Sequence, residues 1–169
     1  MRGSRNRKGE KAHMKRMMLF ATALLLSLAL PAAATELSKG FRDYSWGSEV
    51  REIRSSDPKL VEGHMGVMPG VEAFQRNGEN LDFGGIRAET ITYIFYQGRF
   101  TSVSIDFRGF DNYEKLLAYC RSQFSPGAGA AVLRQELYTD FDSPKVGAML
   151  LYQLSMQTSN YGKLFLYAK

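Results

Sequence analysis

The stretch that most constrains this chain is Glu89 to Phe107, ETITYIFYQGRFTSVSIDF, two alternating runs on either side of a glycine. Such a pattern predicts a β-hairpin. Ile91, Tyr93 and Phe95 alternate with Thr90, Thr92 and Ile94, and beyond the turn Val103, Ile105 and Phe107 alternate with Ser102, Ser104 and Asp106. Side chains change face at every residue, so an even loop would set Ile91 and Tyr93 beside Ser102 and Ser104, whereas an odd loop sets apolar beside apolar. A three-residue loop, Tyr96-Gln97-Gly98, with Gly98 left-handed in a bulge, meets that requirement.

The expected core face is then Ile91, Tyr93, Phe95, Thr101, Val103, Ile105 and Phe107. The expected outer face is hydroxylated, Thr90, Thr92, Ser102 and Ser104, with Ile94 and Phe100 opposite each other near the turn. One packed and one wet face is the arrangement of an antiparallel sheet covered on one side by helices.

The flanking segments extend this reading. Ser48 is placed to cap a short helix in which Val50 and Ile53 share a face and which stops at Asp57-Pro58, since a residue before proline avoids the helical region. Residues 59–70 read as an irregular connection. Val71 to Arg76 alternates and enters a turn at Asn77-Gly78 towards Leu81 to Ile86. Asp111 and Glu114 have capping-box spacing, and Tyr113, Leu116, Leu117, Cys120 and Phe124 recur at helical intervals until Ser125-Pro-Gly-Ala-Gly129 ends the helix. Strands are then expected at Leu133 to Phe141, Val146 to Met156, with Met149 and Leu151 marking it as interior, and Lys163 to Ala168. The order predicts an α+β fold, an antiparallel sheet with two helices on one face, and hints at a duplicated α-βββ unit.

The formal charge of +5 sits at the N-terminus. Residues 1–34 hold seven basic residues and one acid, leaving fifteen basic and sixteen acidic residues in the rest. That near-neutral body gives no case for nucleic-acid binding, which needs a folded surface that concentrates Lys and Arg. The basic segment precedes the apolar run Leu19 to Leu30 and Pro31-Ala-Ala-Ala34, which reads as a signal peptide cleaved after Ala34. Met14, followed by Lys15-Arg16, makes a more typical start than Met1. No Cys follows the apolar run for lipid attachment, and no stable membrane span is expected after cleavage. The expectation is a periplasmic or secreted single domain at 35–169. Cys120 has no partner for an intrachain disulfide, so that domain must rest on packing alone.

Patterns that carry chemistry are sparse. His64 is the one histidine after the signal segment, with no second His or Cys at ligand spacing. Asp106, Asp140, Asp142 and Glu89 offer a cross-strand acid pair, but Asp140 and Asp142 also suit a turn beside Pro144. Asn77-Gly-Glu-Asn-Leu-Asp82 gathers oxygen donors without the twelve-residue calcium-loop pattern. Cys120 lies on the apolar face of its helix, as a buried thiol would, and Trp46 beside Gly47 is placed to anchor the first helix or to line a groove. No catalytic, cofactor or metal site is assigned.

At Phe41-Arg-Asp-Tyr-Ser-Trp-Gly47, at Leu81-Asp-Phe-Gly-Gly85 and at Ile91-Thr-Tyr-Ile-Phe-Tyr-Gln-Gly-Arg-Phe100, the chain resembles a loose group of exported bacterial proteins of uncharacterised function. Those proteins open with an aromatic-to-Trp-Gly segment and centre on a Tyr-x-Phe-Tyr-x-Gly-Arg hairpin. The resemblance implies a fold and an envelope location, with no catalytic residues to carry over. The αβββ order also resembles β-lactamase-inhibitor-type and outer-membrane-assembly lipoprotein domains, whose sheets act as binding surfaces.

The expectation from the residues is a non-enzymatic module that binds another envelope protein through the open face of its sheet, at Thr92, Ile94, Phe100, Ser102 and Ser104. A small-molecule or lipid carrier is the alternative, with the aromatics of 41–46 and the Met-rich 63–70 connection as its mouth. A hydrolase using His64 is the third reading.

Overall fold

A computed structural model describes residues 36–63, 68–133, 136–153 and 160–169, apart from the side chains of 126 and 128–133. The expected signal segment, His64 and the end of the strand expected to reach Met156 lie outside the described residues.

In chain order the elements are β1 (Gly40–Phe41), β2 (Tyr44–Ser45), α1 (Val50–Ser56), β3 (Leu60–Glu62), β4 (Val71–Arg76), β5 (Asp82–Phe83), β6 (Ile86–Arg87), β7 (Thr90–Tyr96), β8 (Arg99–Arg108), α2 (Phe110–Gln123), β9 (Ser125–Leu133), β10 (Glu136–Asp142), β11 (Val146–Gln153) and β12 (Tyr161–Ala168). Eight strands form one antiparallel sheet in the order β3-β4-β7-β8-β12-β11-β10-β9, while β1–β2 and β5–β6 are separate two-stranded hairpins. The fold is α+β, as the alternation and helical spacing predict. The order of elements does not establish a duplication, because each helix precedes four strands of the sheet and only the first half carries extra hairpins among the described residues.

The β7–β8 hairpin corrects the expected turn. Tyr96 pairs with Arg99 across a two-residue loop, Gln97-Gly98, whose φ values of 51° and 75° are those of a type I′ turn. The odd residue that parity demands lies inside the strand: Ile94 faces Ser102 and Phe95 faces Phe100, so Thr101 is the extra residue of a bulge. Phe100 is therefore on the core face and fully buried, where its ring stacks on Trp46 at 4.8 Å and meets Phe95 at 5.4 Å. The outer-face position assigned to Phe100, and the core position assigned to Thr101, are both overturned.

Every additional element packs on one face of the sheet. The β1–β2 hairpin brings Phe41, Tyr44 and Trp46 onto Tyr93 and Phe100, and α1 buries Ile53 and lays Arg54 over Phe74. The β5–β6 hairpin sets Phe83 between Phe41 and Tyr119 of α2. Along α2, Tyr113, Leu116 and Cys120 are buried, as their spacing predicts, and Tyr113 lies 5.2 Å from Tyr152.

Neither helix starts with the expected side-chain cap. Gly47, at φ 81°, turns the chain so that Ser48 and Glu49 run along β8, with Gly47 N donating to Phe100 O and Phe100 N to Ser48 O, and α1 begins at Val50. Gly109, at φ 86°, turns β8 directly into α2 and leaves Asp111 in the first turn. Two segments expected to be irregular are edge strands instead. Leu60–Glu62 pairs with β4, and Ser125–Leu133 pairs with β10, where Pro126 is tolerated near the start of an edge. Leu133 thus ends β9 and does not begin β10.

Phe107 packs flat over Gly162 on the neighbouring strand, with Tyr152 stacked alongside at 6.2 Å. A Cβ at Gly162 would lie 2.2 Å from Phe107 Cζ, and Phe107 is fully buried with no room to turn aside. Gly162→Ala is expected to cost about 1–2 kcal/mol through overpacking, read as a lower urea midpoint with an unchanged m-value.

Candidate functional site

The face opposite the helices carries no helix or hairpin among the described residues. Its side chains run in rows across the strands. One row is Ala73, Ile94, Ser102, Tyr167, Gly147 and Asp142; the next is Thr92, Ser104, Phe165, Met149 and Asp140; the third is Thr90, Asp106, Lys163, Leu151 and Tyr138. Of the residues expected there, Thr92, Ile94 and Ser104 are buried and Ser102 is half-buried. Phe100 is on the other side of the sheet.

The apolar part of this face was missed. It comes from β11 and β12: Met149, Leu151 and Phe165 are half-buried and Tyr167 is 37 % exposed. Tyr167 lies over Gly147, which supplies the flat seat that its ring needs. A signal was present, since Tyr161, Lys163, Phe165 and Tyr167 alternate with buried Leu164 and Leu166, leaving three aromatics on a face that polar residues would otherwise take.

Polar contacts hold this face in place. Lys163 Nζ lies 3.1 Å from Asp106 Oδ1 and within 5.5 Å and 5.9 Å of the Phe165 and Tyr161 ring centres. Burial and a hydrogen bond to Asp106 push the Tyr161 hydroxyl well above its ordinary range. The Tyr138 hydroxyl donates to Asp140 Oδ2 at 2.5 Å and is pushed up to about 12, chiefly by that bond. Between β10, β11 and β12 a hollow of roughly 190 Å³ is lined by Glu136, Leu151, Gln153, Tyr161 and Lys163.

A second, larger cleft of roughly 590 Å³ lies between α1, the β1–β2 hairpin and β4. At its floor Asp57, which ends α1, accepts the Tyr44 hydroxyl at 2.6 Å and the Lys59 amide at 3.0 Å, and Arg76 Nε lies 2.7 Å away. The Tyr44 hydroxyl foremost, with the Lys59 amide and Arg76, holds the Asp57 carboxyl below the ordinary aspartate range against the opposing effect of burial. Burial and Asp57 raise Tyr44. A carboxylate so fully engaged does not abstract protons at neutral pH; it ties α1, β2 and β4 together.

The other expected groups fall apart in space. Asp106 and Asp140 are separated by β12 and β11, Asp142 pairs with Lys169 and Glu89 with Arg108 at 2.6 Å, so no acid pair forms among them. In the Asn77–Asp82 stretch Glu79 turns inward to Arg42 and to the Tyr93 hydroxyl, and Asn80 accepts the Asp82 amide. Cys120 is buried and its thiol is pushed up to about 12 by burial. Phe41 and Tyr44 are core residues, and Trp46 donates to Leu37 O at 2.8 Å. Among the described residues no group of three His, Cys, Asp or Glu side chains could hold a metal ion, and no helix is long and apolar enough to cross a membrane.

Comparison with protein-family models, with curated proteins and with solved structures finds no match for this chain.

Proposed function

We propose that the protein is a non-enzymatic binding module of the cell envelope that engages another protein through the face of its sheet opposite the helices. One observation carries this reading. The four described elements outside the large sheet crowd one face, while the other keeps Met149, Leu151, Phe165 and Tyr167 partly exposed beside the half-buried Ser102, with Thr92 and Ser104 buried in the same rows. An apolar centre with a polar, weakly charged surround is the composition of a recognition patch. The basic segment followed by an apolar run and Ala-x-Ala in the first 34 residues, read as an export signal, supports the envelope as its place of action.

The test is a photo-crosslinking residue at position 165 in the native host. A discrete protein adduct is expected, lost when Tyr167→Ser is added, while the melting temperature of Tyr167→Ser stays within a few degrees of the parent because that ring is exposed. Absence of any adduct from folded protein overturns the reading.

A further inference from the structure

The face opposite the helices differs on its two sides. On one side of the boundary between β8 and β12, β7 and β8 present the short side chains of Thr92, Ser102 and Ser104 around Ile94. Thr92, Ile94 and Ser104 are buried and Ser102 is half-buried, so this side lies low. On the other side β11 and β12 present Met149, Phe165 and Tyr167, half-buried or exposed, so this side stands higher. The boundary itself carries charge. Lys163 of β12 sits directly across from Asp106 of β8, with Nζ 3.1 Å from Oδ1 and the two side chains 32 % and 18 % exposed.

We infer that this face takes a second copy of the chain, the two large sheets packing face to face about a two-fold axis that runs along the β8–β12 boundary. This rests on the reading of the face as a protein-binding surface and names its occupant. Rotation about that axis exchanges the low side with the high side and keeps each row in place, which is the self-complementarity that a closed dimer needs. Phe165 of one copy comes over Ser104 of the other, Tyr167 over Ser102 and Met149 over Thr92. The same rotation brings Lys163 of each copy over Asp106 of the other, so two intrachain pairs close into a ring of four alternating charges. Facing sheets stand about 10 Å apart, a gap that a lysine and an aspartate side chain together span. The ring fixes the register and the apolar side chains supply the burial. A two-fold axis laid across the strands does the reverse, setting high on high, low on low and Lys163 on Lys163. Sheets packed in alignment cross at about −30°, which concentrates contact at the centre, where these residues lie. The strands β4, β7, β8, β12, β11 and β10, six to ten residues long, offer on the order of 700 Å² per copy. A standard interface takes roughly 800 Å² per side.

The experiment is sedimentation equilibrium of the protein purified from its native host, at concentrations up to about 100 µM. The parent is expected to dimerise with a dissociation constant in the micromolar range or tighter. Asp106→Lys and Lys163→Asp each put like charges in the ring, and each should weaken dimerisation by about tenfold or more. Mixing the two variants should restore dimers, because Lys163 of the first then faces Asp106 of the second and the two introduced side chains meet with opposite charge. A folding defect cannot be rescued in this way. Tyr167→Ser, at an exposed ring, should weaken the dimer several-fold with a nearly unchanged melting temperature, and it keeps the test open if either charge variant fails to fold. A parent that stays monomeric, folded variants that dimerise as the parent does, or a mixture of folded charge variants that stays monomeric overturns the inference. A residue-165 crosslink of twice the monomer mass supports it. If that crosslink captures only a different protein and the parent is monomeric, the second copy falls and the binding face stands; if no adduct forms and the parent is monomeric, both fall.

Discussion

Phe100→Ser is expected to unfold the protein or bring it close to unfolding, at a cost of about 3–5 kcal/mol. Its ring is fully buried and sits where the β1–β2 hairpin, β7 and β8 converge, with Tyr44, Trp46, Tyr93 and Phe95 all in ring contact. Truncation to Ser leaves a cavity the size of a phenyl ring and sets an unpartnered hydroxyl inside it, two penalties that add. The loss consumes a large share of the roughly 5–15 kcal/mol that a domain of this kind has. Ile94→Ser, only one residue from Phe95 but on the opposite face, removes a smaller buried side chain and is expected to cost less, about 2–3 kcal/mol. Urea titrations of the two variants separate the faces: similar midpoints for both would place Phe100 outside the core and refute the bulge at Thr101.

The second large effect centres on Asp57. Asp57→Ala leaves the Tyr44 hydroxyl without its acceptor and Arg76 with Asp43 alone at the cleft floor, and about 1–3 kcal/mol of stability should be lost. The contribution is pH-dependent with a defined sign. Because the folded protein holds this carboxyl below the ordinary aspartate value of 3.8, the unfolded chain takes up the proton first as acid is added. The stabilisation is therefore complete above that value and is lost as pH falls through the lower, folded one. Urea curves of the parent and of Asp57→Ala should lie far apart at about pH 7 and converge as pH falls below the ordinary aspartate value. A gap that stays constant on acidification would show that Asp57 acts through packing and not through its charge.

How much of this was legible in the residues differs from element to element. The β7–β8 hairpin could be read because hydrophobic alternation is a direct imprint of a half-buried strand. Parity showed that one odd residue had to be accommodated, yet it is blind to whether the loop or the strand takes it, and the answer decided which way Phe100 points. Helix α2 was visible because Tyr113, Leu116 and Cys120 mark its buried stripe. The edge strands left no such imprint: Leu60–Glu62 is too short, and the glycines and alanines of Ser125–Leu133 owe their extended form to the backbone of β10. The Asp57 cluster joins residues 44, 57 and 76 from three elements, which no local spacing announces. On the face opposite the helices, Met149 and Leu151 could be read as making an interior strand apolar on both sides, but not as the partly exposed half of a patch.

The strand order described above also bears on how the chain finds its shape. Every neighbouring pair in the large sheet is close in sequence except one: β8 meets β12 through partners roughly fifty to sixty-five residues apart. The sheet is thus two meanders, each able to assemble from nearby segments, closed along a single central seam. The entropy of loop closure falls almost wholly on that seam. Once it zips, the proposed recognition face acquires its two halves together, the side chains of Thr92, Ser102 and Ser104 from one meander and the rings of Phe165 and Tyr167 from the other. A chain stalled before that step would have both halves and no continuous face, so binding of the kind proposed above would report on completed folding.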